Sequence, residues 1–192
     1  MRIRKVVSLA LCLVITMTSA FMFTGCGSKT EPATTILVDA NRPYMEYLGE
    51  FDYTSGLAAM VYEQVEGEDP GFYGIQYRKV EDLGGLSTQG DIAICLYFYS
   101  SLNNSAAFVT ADVEDLAQTL TGQVLFVAID VVGHEDISKA YDIYNCPDFV
   151  LINQASRIST FDIASHEEWT INDVAAWIKD NGFIPDYSRL DQ

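Results

Sequence analysis

Four cysteines, two histidines and a dispersed set of carboxylates are the side chains in this chain that can do covalent, metal or proton chemistry. Cys12 and Cys26 lie in and at the end of an apolar N-terminal run, so Cys95 and Cys146 are the thiols of the body. Two thiols are too few for a disulfide framework. Cys146, just before Pro147, is the candidate for single-thiol chemistry: as a thiolate it would be oxidised, capped or used as a nucleophile. The plainer alternative is a small packed hydrophobe, as unpaired cysteines commonly are. His134 and His166 fall in different loops or helix starts, and no His/Cys/Asp grouping has zinc spacing. Glu66, Glu68 and Asp69 lack the ligand and glycine spacing of an EF-hand and read as a solvated turn. Gly84-Gly85 is not followed by the G-K-[ST] of a phosphate loop, and no G-x-S-x-G context occurs. The motifs thus predict no cofactor, no metal and no catalytic residue beyond a weak case for Cys146.

The N-terminus predicts where the protein works. Arg2, Arg4 and Lys5 precede Val6 to Phe23, an 18-residue run broken only by Ser and Thr. It closes on Phe23-Thr24-Gly25-Cys26, which resembles a lipobox, with Phe23 where that motif carries an aliphatic residue. Residues 1–25 then read as a lipoprotein signal peptide and residues 26–35 as a lipidated cysteine and tether. Acyl chains on Cys26 would hold the body at the cell membrane on its extracytoplasmic side, each buried methylene contributing about 0.8 kcal/mol. An uncleaved signal anchor and a cleaved signal without lipid are the alternatives. Each places the body outside the cytoplasm.

The removed segment holds three basic residues and no acid. The 11 basic and 27 acidic side chains of the whole therefore become 8 and 27, a formal charge of −19. Such a surface repels nucleic acid and anionic headgroups. The acids are spread along the chain, which is the pattern of a solvated surface. An acidic, low-affinity calcium-binding role is the functional alternative.

Residues 36–71 read as an N-terminal extension with two short helices. One is capped by Asn41, with Pro43 in its first turn, and runs through Leu48; the other is capped by Ser55, with Leu57, Met60, Val61 and Val65 on one stripe. From Phe72, alternation of Tyr73, Ile75 and Tyr77 with Gln76 and Arg78 predicts an edge strand with one wetter face. Residues 81–90 read mostly as a connection. Ile92 to Tyr99 and Val124 to Val132 are apolar throughout, as strands covered on both faces are. Val109, Val113, Leu116 and Leu120 make a helix between them, giving a right-handed parallel βαβ unit. Ile137, Ala140, Tyr141 and Tyr144 have the spacing of a further helix. Phe149 to Ile152 and Arg157 to Ile163 follow as an antiparallel hairpin. A closing helix from Thr170 to Asn181 turns Val174, Trp177 and Ile178 to the core and ends at Gly182.

This element order, with a parallel centre and an antiparallel end, resembles the thioredoxin superfamily over residues 72–185. The resemblance implies a three-layer α/β/α sandwich with a mixed sheet. In that family a strand leads through Asp-Phe-Trp-Ala into Cys-Gly-Pro-Cys. Here Tyr97-Phe98-Tyr99-Ser100 leads through Ser101-Leu102 into Asn103-Asn104-Ser105-Ala106. The family's Ile-Pro-Thr, with a cis proline, matches Cys146-Pro147-Asp148. Asn103 and Ala106 thus stand where the redox thiols would be, and Tyr97 where thioredoxins carry a buried proton-transfer aspartate. Exchange needs one thiol to attack and another to resolve. Cys95 cannot serve, being about five residues, roughly 16 Å, from the strand end, whereas disulfides need Cα atoms within about 7 Å.

The resemblance implies a redox-inactive module whose contact surface is the loop ridge beyond the parallel strands, where open α/β sheets bind ligands. The residues are Tyr99, Leu102, Asn103, Asn104, Ser105, Ala106, Cys146, Pro147 and Asp148, flanked by Phe108 and by Ile163 to His166. The expected partner is a protein or peptide of unknown identity. The competing reading is a single-thiol enzyme or sensor at Cys146, its pKa lowered by the adjacent helix start.

Overall fold

The structure, a computed structural model, describes residues 42–183 apart from 66, 105, 162 and 167. The signal peptide, Cys26, the tether, the cap at Asn41, Ser105 and residues 184–185 lie outside the described residues. No helix among the described residues is long and apolar enough to cross a membrane.

Seven strands form one mixed sheet: β1 (Leu48–Phe51), β2 (Leu57–Gln64), β3 (Tyr73–Val80), β4 (Ala93–Tyr99), β5 (Val124–Asp130), β6 (Asp148–Asn153) and β7 (Ser156–Phe161). Their order across the sheet is β1-β3-β2-β5-β4-β6-β7. Among the described residues four α-helices accompany it: α1 (Leu83–Thr88), α2 (Ala106–Thr119), α3 (Glu135–Ala140) and α4 (Ile171–Asp180). The β4-α2-β5 unit is parallel, β6 returns antiparallel to β4, and β7 pairs antiparallel with β6.

Successive residues of a strand face opposite ways, so β4 feeds two cores. Ile94, Leu96 and Phe98 pack with Leu86, Val127 and Ile143 on one face. Cys95 and Tyr97 pack with Val113, Leu116, Leu120, Val174 and Ile178 of α2 and α4 on the other. The result is the α/β/α sandwich with a thioredoxin-like centre. The β6–β7 turn has Gln154 and Ala155 at φ 49° and 58°, the backbone that a two-residue hairpin requires. At the start of α4 the Asp173 carboxylate accepts from both the N–H and the hydroxyl of Thr170. Gly182, at φ 92°, follows the helix end.

The extension departs most from its predicted form. A 3-10 helix, Pro43–Tyr47, occupies the first helical stretch. The helix expected from Ser55 is instead β2, antiparallel to β3 on one side and to β5 on the other. A strand in that position is buried on both faces, and Ala58, Ala59, Met60 and Val61 all are. β1 takes the edge, so β3 is an interior strand and not the predicted edge.

The wetter face of β3 is correspondingly closed. Gln76 is buried and accepts from the Tyr53 hydroxyl. Arg78 forks onto Glu63 at 2.6 and 3.0 Å and lies over the Phe51 ring. Residues 81–90, expected as connection, contain α1, whose start is held by Gly85 N–H donating to Asp82. α3 stops at Ala140 because Asp142 turns left-handed at φ 58°, with Ile143 N–H closing on Ser138 O. Ile143 is thereby buried, and Tyr144, expected on the helix, is 83% exposed.

Candidate functional site

The carboxyl ends of β4 and β5 and the start of β6 lie at one end of the sheet, because β4 pairs parallel with β5 and antiparallel with β6. Three loops meet there. The β4–α2 loop turns through Asn103 N–H to Ser100 O and Ala106 N–H to Asn103 O, each at 3.0 Å. Leu102 stands 80% exposed at its crest, with Asn103 and Asn104 exposed beside it. Phe108, in the first turn of α2, is 79% exposed. From the other two loops come Val132 and Tyr144, also exposed. This end of the sheet therefore turns large apolar side chains from three separate loops to water. Tyr144 and Val132 were not among the expected site residues, since one read as helix face and the other as strand.

The Cys146–Pro147 bond is cis, as the resemblance implied. Asp148 follows it, opposite Phe98, and its buried carboxylate accepts the N–H of Phe149 at 2.9 Å. Cys146 is half-buried and its sulfur is free. Burial, then the carboxylates of Asp148 and Asp130, push its thiol up to about 11. The expectation that the start of α2 would lower this pKa is therefore reversed: two like charges and desolvation outweigh a helix end. Cys95 is wholly buried in mid-strand opposite Leu151, and burial raises its thiol further. It is also free, so the two thiols do not pair.

Asp130, the last residue of β5, is a site residue that the sequence reading missed. Its one signal was an acid within the apolar run from Val124 to Val132. Its carboxylate accepts the N–H groups of Ser101 and Val132, each at 3.1 Å, and so ties the first loop to the second. Burial opposes its charge, but the hydrogen bonds from Ser101 and Val132, with His134 nearby, hold it below the usual carboxylate range. The His134 ring in turn meets Ser55 O at 3.0 Å, and Asp130 N–H donates to Gly56 O at 2.7 Å.

Tyr97 is fully buried, stacked between Tyr99 and Phe149, with its hydroxyl 3.1 Å from Thr110 Oγ1. Burial pushes it up to about 12, so it is a neutral phenol. Tyr99 is half-buried beside Asp130. Of the outlying candidates, Ile163 opens a short 3-10 turn, and the exposed His166 ring stacks on Phe161 at 4.5 Å. Among the described residues no group of three or more His, Cys, Asp or Glu side chains could hold a metal ion. The described ridge therefore offers exposed apolar and amide contacts around a protonated thiol.

No protein-family model matches the chain, and no curated protein does. Solved thioredoxins do resemble it. Mitochondrial thioredoxin 3 of Saccharomyces cerevisiae is 24% identical over 50% of this chain and 84% of its own, with a TM-score of 0.43. Thioredoxin NaTrxh of Nicotiana alata is 14% identical over 50% and 79%, with a TM-score of 0.44. Fasciola hepatica thioredoxin is 18% identical over 48% and 83%, at 0.42. The parallel β4-α2-β5 unit, the cis proline entering β6, the β6–β7 hairpin and the closing α4 make this a thioredoxin-like α/β fold.

Proposed function

We propose that this protein is a thioredoxin-like binding or scaffolding module, anchored by lipid on Cys26 at the extracytoplasmic side of the cell membrane, that captures a protein or peptide without dithiol exchange. One observation carries the reading: Leu102, Phe108 and Tyr144 stand exposed at the end of the sheet where the cis proline lies, and burial with Asp148 and Asp130 pushes the Cys146 thiol there up to about 11. A thiol in that state is a poor nucleophile at neutral pH, while the rim has the makings of an interface core. Tyr99, Asn103, Asn104, Ser105, Ala106, Pro147 and Asp148 complete the proposed surface. The −19 charge of the mature chain favours a partner with a basic face.

A photo-crosslinking side chain at Leu102 or Tyr144 in intact cells tests the surface, with Gly122, at the other end of α2, as control. Discrete adducts from the ridge positions, lost when Asn103 is also replaced by Lys, support it. Identical adducts from Gly122 refute it. Insulin reduction by the purified protein would refute the redox-inactive part, and membrane retention of Cys26→Ser would refute the lipid anchor.

A further inference from the structure

Beside the ridge, where β4, α2 and β5 meet β2 and β3, lies a cavity of about 200 Å³ whose composition is specific. Its floor is made of small residues. Ala58 of β2 sits directly opposite Ala128 of β5, and Gly56 precedes them in the loop into β2. Tyr53, Tyr77 and Tyr99 line it as well, with Thr110 of α2. Tyr53 and Tyr77 have centroids 5.5 Å apart at 50°, so they form two inclined walls and not a stack. Small residues below and large rings around make a hollow that the surrounding side chains do not fill.

The electrostatics of the hollow are one-sided. Asp52 stands on its rim. The cavity shares Tyr99 and Thr110 with a more open cleft of about 520 Å³, and that cleft includes Glu114. Glu114 accepts the Tyr77 hydroxyl at 2.6 Å, fixing that ring in place. None of the residues lining the cavity is cationic. Lys79, near enough to Asp52 to help lower its pKa, is itself bridged to Glu81. Three tyrosines with carboxylates beside them, and no cation among the lining residues, suit a weakly hydrated positive charge.

We infer that this cavity binds an organic cation, the alkylated ammonium or guanidinium head of a ligand, through the faces of Tyr53, Tyr77 and Tyr99. The head comes either from a free small amine or from a lysine or arginine side chain of a docked peptide. The site adjoins the ridge through Tyr99, but its remaining lining comes from the extension, β3, β5 and α2, and Leu102 is not part of it.

The probes are choline, its uncharged isostere 3,3-dimethyl-1-butanol, and N-acetyl-arginine amide, titrated by calorimetry into the full chain in a neutral detergent. Saturable choline binding at least tenfold tighter than the isostere is expected. Tighter binding of the arginine amide than of choline would assign the site to peptide side chains, and the reverse order to free amines. Tyr53→Leu keeps an apolar wall but removes a π face, and a two- to fivefold weakening follows from the worth of one exposed cation–π contact. Tyr53 is 65% exposed, so this variant costs the fold mainly the hydrogen bond to Gln76, and Tyr53→Phe, which loses that bond but keeps the ring, is the control and should retain choline binding. Ala128→Val narrows the floor and should abolish binding, and its thermal unfolding, measured alongside, must remain cooperative. Leu102→Lys, on the ridge, should leave choline affinity unchanged, which separates this site from the proposed partner surface. Equal affinity for choline and the isostere, no saturation by any probe, or undiminished choline binding in Tyr53→Leu would overturn the inference.

Discussion

The protonation of Cys146 is the most direct test of the reading that this scaffold binds without exchanging disulfides. Raising the thiol from its ordinary 9.0 to about 11 lowers its thiolate fraction at pH 8 about a hundredfold. A more basic thiolate is also a better nucleophile, and a Brønsted slope near 0.4–0.5 returns roughly six- to tenfold of that loss. The net expectation is attack on a small disulfide reagent about 10- to 15-fold slower than by an unperturbed cysteine. Half-burial slows the reaction further, but equally at every pH, so the informative quantity is the pH profile. Labelling is followed at the Cys146 peptide by mass spectrometry from pH 6 to 11, native and in denaturant. The denatured profile should bend near 9 and the native one should still be rising beyond 10.

The cause can be dissected too. Asp148→Asn keeps an oxygen to accept the Phe149 N–H and removes the carboxylate that is the second contributor after burial. Its midpoint should fall below that of the wild type yet stay above 9, because burial is untouched. Stability follows with a definite sign. Below pH 9 neither state ionises Cys146. Between about 9 and 11 the unfolded chain releases the proton while the folded chain keeps it, so this contribution to stability is lost as pH rises. A native midpoint below 8, or one that Asp148→Asn raises, would refute the reasoning and return single-thiol chemistry to first place.

Phe149→Ala should cost about 3–5 kcal/mol in urea unfolding, since its buried ring contacts Tyr97, Phe161 and Trp169; a loss under about 1 kcal/mol would mean this face is not a packed core. Gly56→Ala should cost about 1–2 kcal/mol for the left-handed backbone plus the crowding of a Cβ 3.1 Å from Asp130 Cβ. Gly67→Ala, at φ 82° with open space around it, isolates the backbone part. Equal losses by differential denaturation would show that the Asp130 contact is slack.

The parts legible in the sequence were those with one unambiguous period. Val113, Leu116 and Leu120 mark α2, Val174 and Ile178 mark α4, and the unbroken apolar runs of β4 and β5 mark buried parallel strands. β2 was not legible because the same evidence supports two elements. Its residues Leu-Ala-Ala-Met-Val-Tyr-Glu-Gln include good helix formers, and a strand buried on both faces shows no alternation to betray it. Only its pairing with β3 and β5, a long-range fact, decides the matter. The ridge was legible because its loops are adjacent to the strands that build it. The tyrosine hollow was not, since Tyr53, Tyr77, Tyr99 and Thr110 are brought together by strand register and helix placement, and nothing local links them.

The residues at positions 97, 103 and 106 have different structural weights. Asn103 is an exposed loop residue and Ala106 a half-exposed residue at the first position of α2, so both lie at the surface and outside the packed cores. Tyr97 is another matter. It is a fully buried ring seated between Tyr99 and Phe149 with its hydroxyl against Thr110, and burial keeps it a neutral phenol. A carboxylate placed there would inherit an aromatic pocket and one hydroxyl partner, an environment that penalises charge. Across the strand ends, Asp130 and Asp148 push the Cys146 sulfur the same way, toward its protonated form. Thiols installed at 103 and 106 would meet Tyr97, a neutral phenol, where thioredoxins carry a carboxylate. On the proposed reading, the buried aromatic and acidic setting would hinder dithiol exchange as much as the residues at 103 and 106.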